Sequence, residues 1–582
     1  MINMNTIYRF FSVVALIAAC HAASAQDLDP TVVVNRAYEG KLMEVHKPAL
    51  EMAVPDSLMR FDLDFDYSVF DRPYKGSYEF NPYLLSMKPS VSSDRNGVLY
   101  LRAGAGYRLH PELDLVWSPV VSKKTNALKM NVYAHHRSYV GEYYEIDRVI
   151  EDINKEWQEN NRLIRNGRVW DGYDLRSKAG LDMTYDWTGG VLGFDAGYAG
   201  LHQKDPRWAR GYNAFDGSFH VASKALSEYS YGLRARYRAA VDNSTGVDDQ
   251  AARLGEQLFD LSATIGKAMT DRKSYAMDVD VSSAVYSDLL TRSLTAVSVT
   301  PKYIYDHGVL HAALGVNFDV AFDVDKQQVV YPDVDIRLKV IPELVSAYVR
   351  LGGGAEVMSY ASILEMTPHI KAASALDMRS AYPGYGDMQY QLEDFSAVAG
   401  FEGRIRTAFS YNVYGGYADY RAGMLDWLMP EMISMCCLRK ATVPYKKSFA
   451  ALDMMWKSET FKADASVVYT YPWGEAFDES DPQTVRLYLR PAAFKGNVSF
   501  EYNYNRRIFV GMDCEFRTSM STAFDFMLVP GYADLGLSAE YVTSRDHSFW
   551  VRGGNVLGMT IQRVPLYAEK GLYFTLGISL KL

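Results

Sequence analysis

Along most of its length the chain carries apolar side chains at every second position. The clearest run closes the sequence, where Leu572, Phe574, Leu576, Ile578, Leu580 and Leu582 alternate with Tyr573, Thr575, Gly577, Ser579 and Lys581. Successive side chains of a strand point to opposite faces, so a period of two predicts β-strands with one apolar and one polar face. Leu99, Leu101, Ala103, Ala105, Tyr107 and Leu109 repeat the pattern, with Tyr100, Arg102, Gly104, Gly106 and Arg108 opposed. So do Leu181 to Trp187, Leu192 to Tyr198, Tyr275 to Val281, Leu310 to Phe322 and Val334 to Val340. Between two of these runs, Thr188-Gly189-Gly190 supplies the positive φ that a tight hairpin turn needs. The fold class these patterns predict is all-β and antiparallel.

Charge on the polar face narrows the architecture. Asp182, Asp186, Asp278, Asp280, Asp333, Asp335, Arg337 and Lys339 all fall on it, and they need water there. A soluble sandwich turns that face outward, whereas a transmembrane barrel turns it inward around a wet lumen. The other end of the chain favours the barrel. An apolar run from Phe10 to Cys20 follows Arg9, and Ala23-Ser24-Ala25 precedes Gln26, which reads as a secretory signal peptide over residues 1–25. In a competing reading, Ile17-Ala18-Ala19-Cys20 resembles a lipoprotein cleavage box that leaves Cys20 lipidated. No apolar run is long enough to span as a helix, so any crossing is by strands. The 43 Tyr and 9 Trp suit membrane–water interfaces.

The expectation is therefore a transmembrane antiparallel outer-membrane β-barrel over residues 97–582, with about 22 strands. Residues 26–96 read as a periplasmic lead-in or reduced plug. Phe61, Leu63, Phe65 and Tyr67 alternate within it, and Pro73, Pro82 and Pro89 interrupt the remainder of the segment. Short turns at Thr188–Gly190, Asp306–Gly308 and Ile341–Glu343 alternate with longer connections that read as irregular. These longer ones are Gly141–Ser177, Val241–Arg253, Met358–Gln389, Ala422–Lys447 and Met520–Gly531. Outer-membrane barrels place short turns in the periplasm and long loops outside.

Charge and cysteine content exclude some classes. The net charge of −9 is mildly acidic and of mixed sign, which argues against a nucleic-acid partner. Beyond the signal, Cys436, Cys437 and Cys514 form neither a disulfide framework nor a zinc spacing.

The last quarter of the sequence carries a family resemblance. Thr575-x-Gly577-x-x-Leu580-x-Leu582 resembles the C-terminal assembly signal of bacterial outer-membrane barrels, with Leu582 where an aromatic residue is usual. Pro530-Gly531-Tyr532 leads into a strand, and Phe549-Trp550-Val551-Arg552-Gly553-Gly554-Asn555-Val556-Leu557-Gly558 comes after a turn. Pro565-Leu566-Tyr567 and Lys570-Gly571-Leu572-Tyr573-Phe574 come next. Together these resemble the closing strands of TonB-dependent receptor barrels. The resemblance implies binding or passage of a solute at the outer membrane. The partners it implies are outer-membrane lipid and lipopolysaccharide, the barrel-assembly machinery and a periplasmic partner reached through 26–96. No plug-like βαβ pattern is visible in 26–96, which puts energy-coupled import in question. A second reading is a non-transporting barrel that scaffolds an envelope complex.

No catalytic, cofactor or metal site emerges. His135-His136 are neighbours on a strand and point to opposite faces, which disfavours shared ligation. Asp278 with Asp280, and Asp333 with Asp335, share strand faces as a calcium or glycosidase pair would, but solvated lumen charge is the default account of them. No Gly-x-Ser-x-Gly elbow is present. The apolar stretch Leu425 to Leu438, with Trp427, Leu428, Met429, Met432, Ile433 and Met435, reads either as a grip for an apolar ligand or as a loop packed inward on the rim. Arg207 to Arg210 with Trp208, and Arg506-Arg507 near Tyr502 and Tyr504, read as interfacial anchors or lipopolysaccharide phosphate contacts.

Overall fold

The computed structural model describes residues 99–582 apart from 108–109, 120–127, 154–158, 205–207, 225–228, 247–250, 289–291, 323–326, 343, 371–389, 407, 432–434, 478–487, 523–526 and 545. The signal peptide, Cys20 and the stretch 26–96 lie outside the described residues. Each strand of the wall pairs antiparallel with the next wall strand along the chain, from Leu99–Gly106 through to Tyr573–Lys581. The first strand then pairs with the last, which closes a barrel of 22 strands among the described residues. A further short hairpin, Met520–Ser521 with Met527–Val529, sits in a connection outside the wall and pairs in parallel with Asn161–Arg162 at the outer end of Glu159–Trp187.

Closure is a consequence of the medium. Hydrocarbon offers backbone N–H and C=O groups no partners, so a sheet that crosses it must have no free edge. At the seam Leu99 and Leu582 exchange both backbone hydrogen bonds at 2.8 Å, and Leu101, Ala103 and Ala105 lie opposite Leu580, Ile578 and Leu576. All six turn outward. The outward belt continues around the wall with such residues as Phe215, Ile265, Met277, Phe318, Phe401 and Val510, all exposed until lipid covers them.

The inner side of the seam depends on two glycines. Gly104 lies opposite Gly577, and the Trp550 indole occupies the space their side chains would take. The Arg102 guanidinium stacks 4.2 Å above that ring. Thr575 is fully buried, and its hydroxyl meets His110 Nε2 at 2.9 Å. Two residues of the expected assembly signal, Thr575 and Gly577, thus face the lumen at the seam, while Leu580 pairs in it and Leu582 terminates it.

Short turns at 188–189, 271–272, 308–309 and 505–507 mark the periplasmic rim, which also receives Leu99 and Leu582. The outer side departs from expectation. The described residues of Gly141–Ser177 and Ala422–Lys447 are mostly paired: they belong to the strand pairs Leu128–Ile153 with Glu159–Trp187 and Phe409–Glu431 with Met435–Lys457. The Val241–Arg253 connection likewise lies mostly within the paired strands Tyr229–Gly246 and Ala251–Thr270. Outside lipid a ribbon needs no apolar face, so pairing continues where alternation stops. Of Met358–Gln389, the described part contains a helix, Tyr360–Met366, which we call α1.

A Cβ at position 577 would lie 2.1 Å from the Ala103 carbonyl oxygen, a backbone atom with no room to move. Gly577→Ala is expected to destabilise the folded barrel by about 1–3 kcal/mol, read as the urea midpoint of its heat-modifiable band. Gly217→Ala, whose nearest neighbour would be 3.7 Å away, is expected to leave that midpoint unchanged. Equal midpoints for the two variants would contradict the seam account.

Candidate functional site: the lumen and its outer mouth

Every strand of the wall sends alternate residues inward, and many are charged. Lys302 lies between Asp278 at 3.0 Å and Asp333 at 2.8 Å, Arg350 reaches Asp335 at 3.4 Å, and Arg337 reaches Glu402 at 3.5 Å. Of the two carboxylate pairs read from the sequence, Asp278, Asp333 and Asp335 are therefore ion-paired lumen residues. Among the described residues no group of three or more His, Cys, Asp or Glu is placed to hold a metal ion. His135 and His136 diverge as expected, toward Asp114 at 3.0 Å and the Ser177 hydroxyl at 2.9 Å.

The outer mouth holds the feature that sequence reading missed. Ser359 caps α1 by accepting the Ser362 N–H at 3.1 Å, and the helix lies against the inner wall. Tyr360, Ile363, Leu364 and Ile370 bury into a cluster with Ala214, Ala240, Leu254, Ala284 and Leu294 from the wall. Polar contacts fix the register. Glu256 accepts the N–H groups of Tyr360 at 2.7 Å and Ala361 at 3.1 Å, which the first helical turn cannot satisfy internally. The Tyr360 hydroxyl donates to Asp242, and Arg210 Nε lies 3.0 Å from the same carboxylate. Arg210 also donates to the carbonyls of Pro368 and Ile370. At the far end of the connection, the Tyr390 hydroxyl donates to the Phe322 carbonyl. Both ends of the connection are thereby fixed to the wall.

Arg210 corrects the sequence reading. The side chains of Arg210 and Asp242 are fully buried, so this arginine is a lumen latch and not an interfacial anchor. The side chains of Arg207 and Trp208 lie outside the described set. Arg506 stays exposed on a short turn at the periplasmic rim, 3.9 Å from Glu459, which removes it from the lipopolysaccharide leaflet. Of the stretch Leu425 to Leu438, Leu425, Trp427 and Leu428 pack inward and are buried, with Trp427 beside Tyr488, and the side chains of 429–438 lie outside the described set.

The connection between the last two strands, residues 555–572, meets the α1 segment over the mouth. Asn555 takes a left-handed φ of 48°, which Asn tolerates, and is bonded to Asp534 and Met559. Arg563 anchors the loop to Glu515 at 3.1 Å, Asp534 at 2.6 Å and Glu569. Arg517 donates to the Gln562 carbonyl at 2.8 Å. Tyr567 stacks on His369 at 4.4 Å, although the two connections root on well-separated strands. Burial pushes the His369 imidazole down to about 4, and Arg176 and Arg210 push it the same way while Asp174 opposes them.

The structural comparisons agree with this architecture. No protein-family model matches the sequence, and no curated protein matches it. Among solved structures, the FrpB iron transporter from Neisseria meningitidis is similar with a TM-score of 0.60 at 9% identity, over 84% of this chain and 83% of that one. The siderophore receptor PiuA from Acinetobacter baumannii gives 0.57 at 10% identity, over 84% and 82%. A variant of the ferric enterobactin receptor from Pseudomonas aeruginosa gives 0.55 at 10% identity, over 83% and 80%. At such identities the likeness is one of fold.

Removing one partner of a buried ion pair leaves the other charged and unpaired, at a cost of about 3–5 kcal/mol. Arg210→Ala is therefore expected to release the α1 segment, so that external protease cuts residues 358–389 on intact cells far faster than in the parent. Tyr360→Phe, which removes one bond to a carboxylate, is expected to act in the same direction with about 1.5–3 kcal/mol. Unchanged cleavage in both would contradict the latch.

Because the docked His369 holds its proton less tightly than a free imidazole, docking is fully favoured above about pH 6.5 and weakens as pH falls toward about 4. The cleavage rate is expected to rise over that window, and His369→Phe is expected to lose that part of the rise. An identical pH profile in the variant would contradict the assignment.

Proposed function

Starting from a chain with the barrel fold of TonB-dependent receptors, we propose that it binds or passes a solute at the outer membrane. The path is the charged lumen, and the α1 segment must move to open it. One observation carries the reading: the α1 connection is held over the mouth by buried polar contacts to the wall and by a ring stack on the connection between the last two strands, above a lumen lined with water-requiring charge. A merely structural barrel gains little from burying Arg210 and Asp242, since an apolar pair of similar volume is often as stable. The fold neighbours are titled as receptors and transporters for iron, siderophores and copper, which supports a solute role and a non-enzymatic reading for this chain.

Residues 26–96 act in this proposal as a periplasmic lead-in or reduced plug and as the reach toward a TonB-like partner. Residues 1–25 act as the signal peptide. Thr575, Gly577, Leu580 and Leu582 serve as the signal read by the assembly machinery. Lipopolysaccharide is the expected outer-leaflet neighbour.

The scaffold reading has one observation in its favour. The ribbon of Leu128–Ile153 with Glu159–Trp187 extends past its wall neighbours, which stop pairing at Arg137 and Tyr173. On the Glu159–Trp187 side Met527–Leu528 already pair in parallel with Asn161–Arg162, so what the ribbon offers a protein partner is its protruding surface and not a free edge.

Single-channel conductance in planar bilayers separates the readings. The intact protein is expected to be silent or nearly so, and Arg210→Ala combined with deletion of 26–96 to give large steady openings. Silence in both would contradict solute passage and favour the scaffold.

A further inference from the structure

The wall directly below α1 carries a row of cations whose use the latch does not explain. Arg234, Arg236 and Arg238 occupy alternate positions of the strand Tyr229–Gly246 and face the lumen, while Leu233 and Tyr237 face outward. Just above them on the same strand, Ala240 and Asp242 hold α1. Arg238 has Asp216 at 3.9 Å. Arg234 and Arg236 are exposed to the lumen. Arg236 lies across from Asp260 and Ser218, and Arg234 across from Ser262 and His220. The neighbouring carboxylates stay close to the wall: Asp260 accepts Ser282 at 2.9 Å, and Asp195 accepts Ser218 at 2.6 Å. Arginine is several atoms longer than aspartate, so the guanidinium groups stand forward of the acids and present a positive line spaced by about 7 Å.

We propose that this arginine row docks the acidic stretch Phe61–Tyr67 of the same chain. The proposal rests on the reading of 26–96 as a reduced plug and gives that plug its contact. Within that stretch Asp62, Asp64 and Asp66 alternate with Phe61, Leu63, Phe65 and Tyr67, and no basic residue interrupts them. Extended, they repeat at the same spacing of about 7 Å as the arginines, so three carboxylates can meet three guanidinium groups in one register. The lumen is closed to lipid and water-filled, so the apolar side of the stretch would turn toward the remainder of 26–96. Reach is sufficient: about thirty residues separate Tyr67 from Leu99 at the periplasmic rim, up to ~100 Å of extended chain. Lys302 and Arg350, elsewhere on the wall, are by contrast held close to carboxylates of their own.

The test is disulfide trapping in the full chain, in membranes, with Cys436, Cys437 and Cys514 replaced by Ser. Asp64→Cys with Arg236→Cys is expected to cross-link about tenfold more than Asp64→Cys with Ser466→Cys, which sits on the strand Phe461–Trp473 across the lumen. Arg234→Glu with Arg238→Glu should lower the yield several-fold, and Asp62→Arg with Asp66→Arg should restore it. Equal yields at the two walls, or a yield indifferent to charge reversal, overturn the proposal. If Arg234→Gln with Arg236→Gln shifts the reversal potential in citrate while no cross-link forms, the row serves a solute anion instead, and docking is overturned. Cross-linking is independent of conduction, so a trapped segment in a barrel that never conducts keeps the docking and removes the transport reading.

Discussion

The unpaired backbone is the constraint on which the rest of this molecule depends. A strand in hydrocarbon that lacks a neighbour leaves amides with no partner, so the wall must run without interruption from Leu99 back to Leu582. Closure fixes the inside and outside of every strand at once. Apolar residues go to lipid, and the charged half of each alternation is forced into one enclosed volume, where Lys302, Arg350 and Arg337 find carboxylates one or two strands away. Seam chemistry answers to the same constraint. Gly104 and Gly577 are small because Trp550 and the opposing backbone occupy the space beside them.

A wall of 22 strands encloses more volume than its own side chains fill. Here outer connections turn inward. The α1 segment does so because its apolar side matches a patch of Ala214, Ala240, Ala284 and Leu254 on an otherwise polar inner face. Glu256 then satisfies helix N–H groups that would otherwise be buried alone, and Arg210 satisfies carbonyls at the other end. A docking built on buried charge is specific in register and costly to break by halves, which suits an element with two discrete positions.

The barrel was legible in the sequence because lipid imposes period two on one face of each strand. The runs ending at Leu109, Trp187, Phe322 and Leu582 showed it, and so did the approximate strand number. Where lipid ends, so does the signal. Glu142 to Trp170 carries charge at both parities, so it read as irregular although its described residues pair across the ribbon with two register shifts. The latch was hidden for another reason. Arg210, Asp242, Glu256 and Tyr360 come from four separate segments, and nothing local distinguishes Asp242 from any other lumen acid. Arg210 beside Trp208 even suggested an interface; only cross-strand register reveals that its parity points inward. The inward packing of Leu425, Trp427 and Leu428 was one of two accounts that their apolarity allowed, and burial against Tyr488 and Leu489 decides it.

The most direct test of the central claim, that a segment of an outer connection is latched inside the mouth of a charged lumen, is an experimental map of the protein in lipid nanodiscs at neutral pH. The account predicts density for residues 359–370 against the inner wall, with Tyr360 at Asp242 and Glu256 and with His369 on Tyr567. A mouth clear of that segment, with Arg210 and Asp242 facing open water, would contradict it.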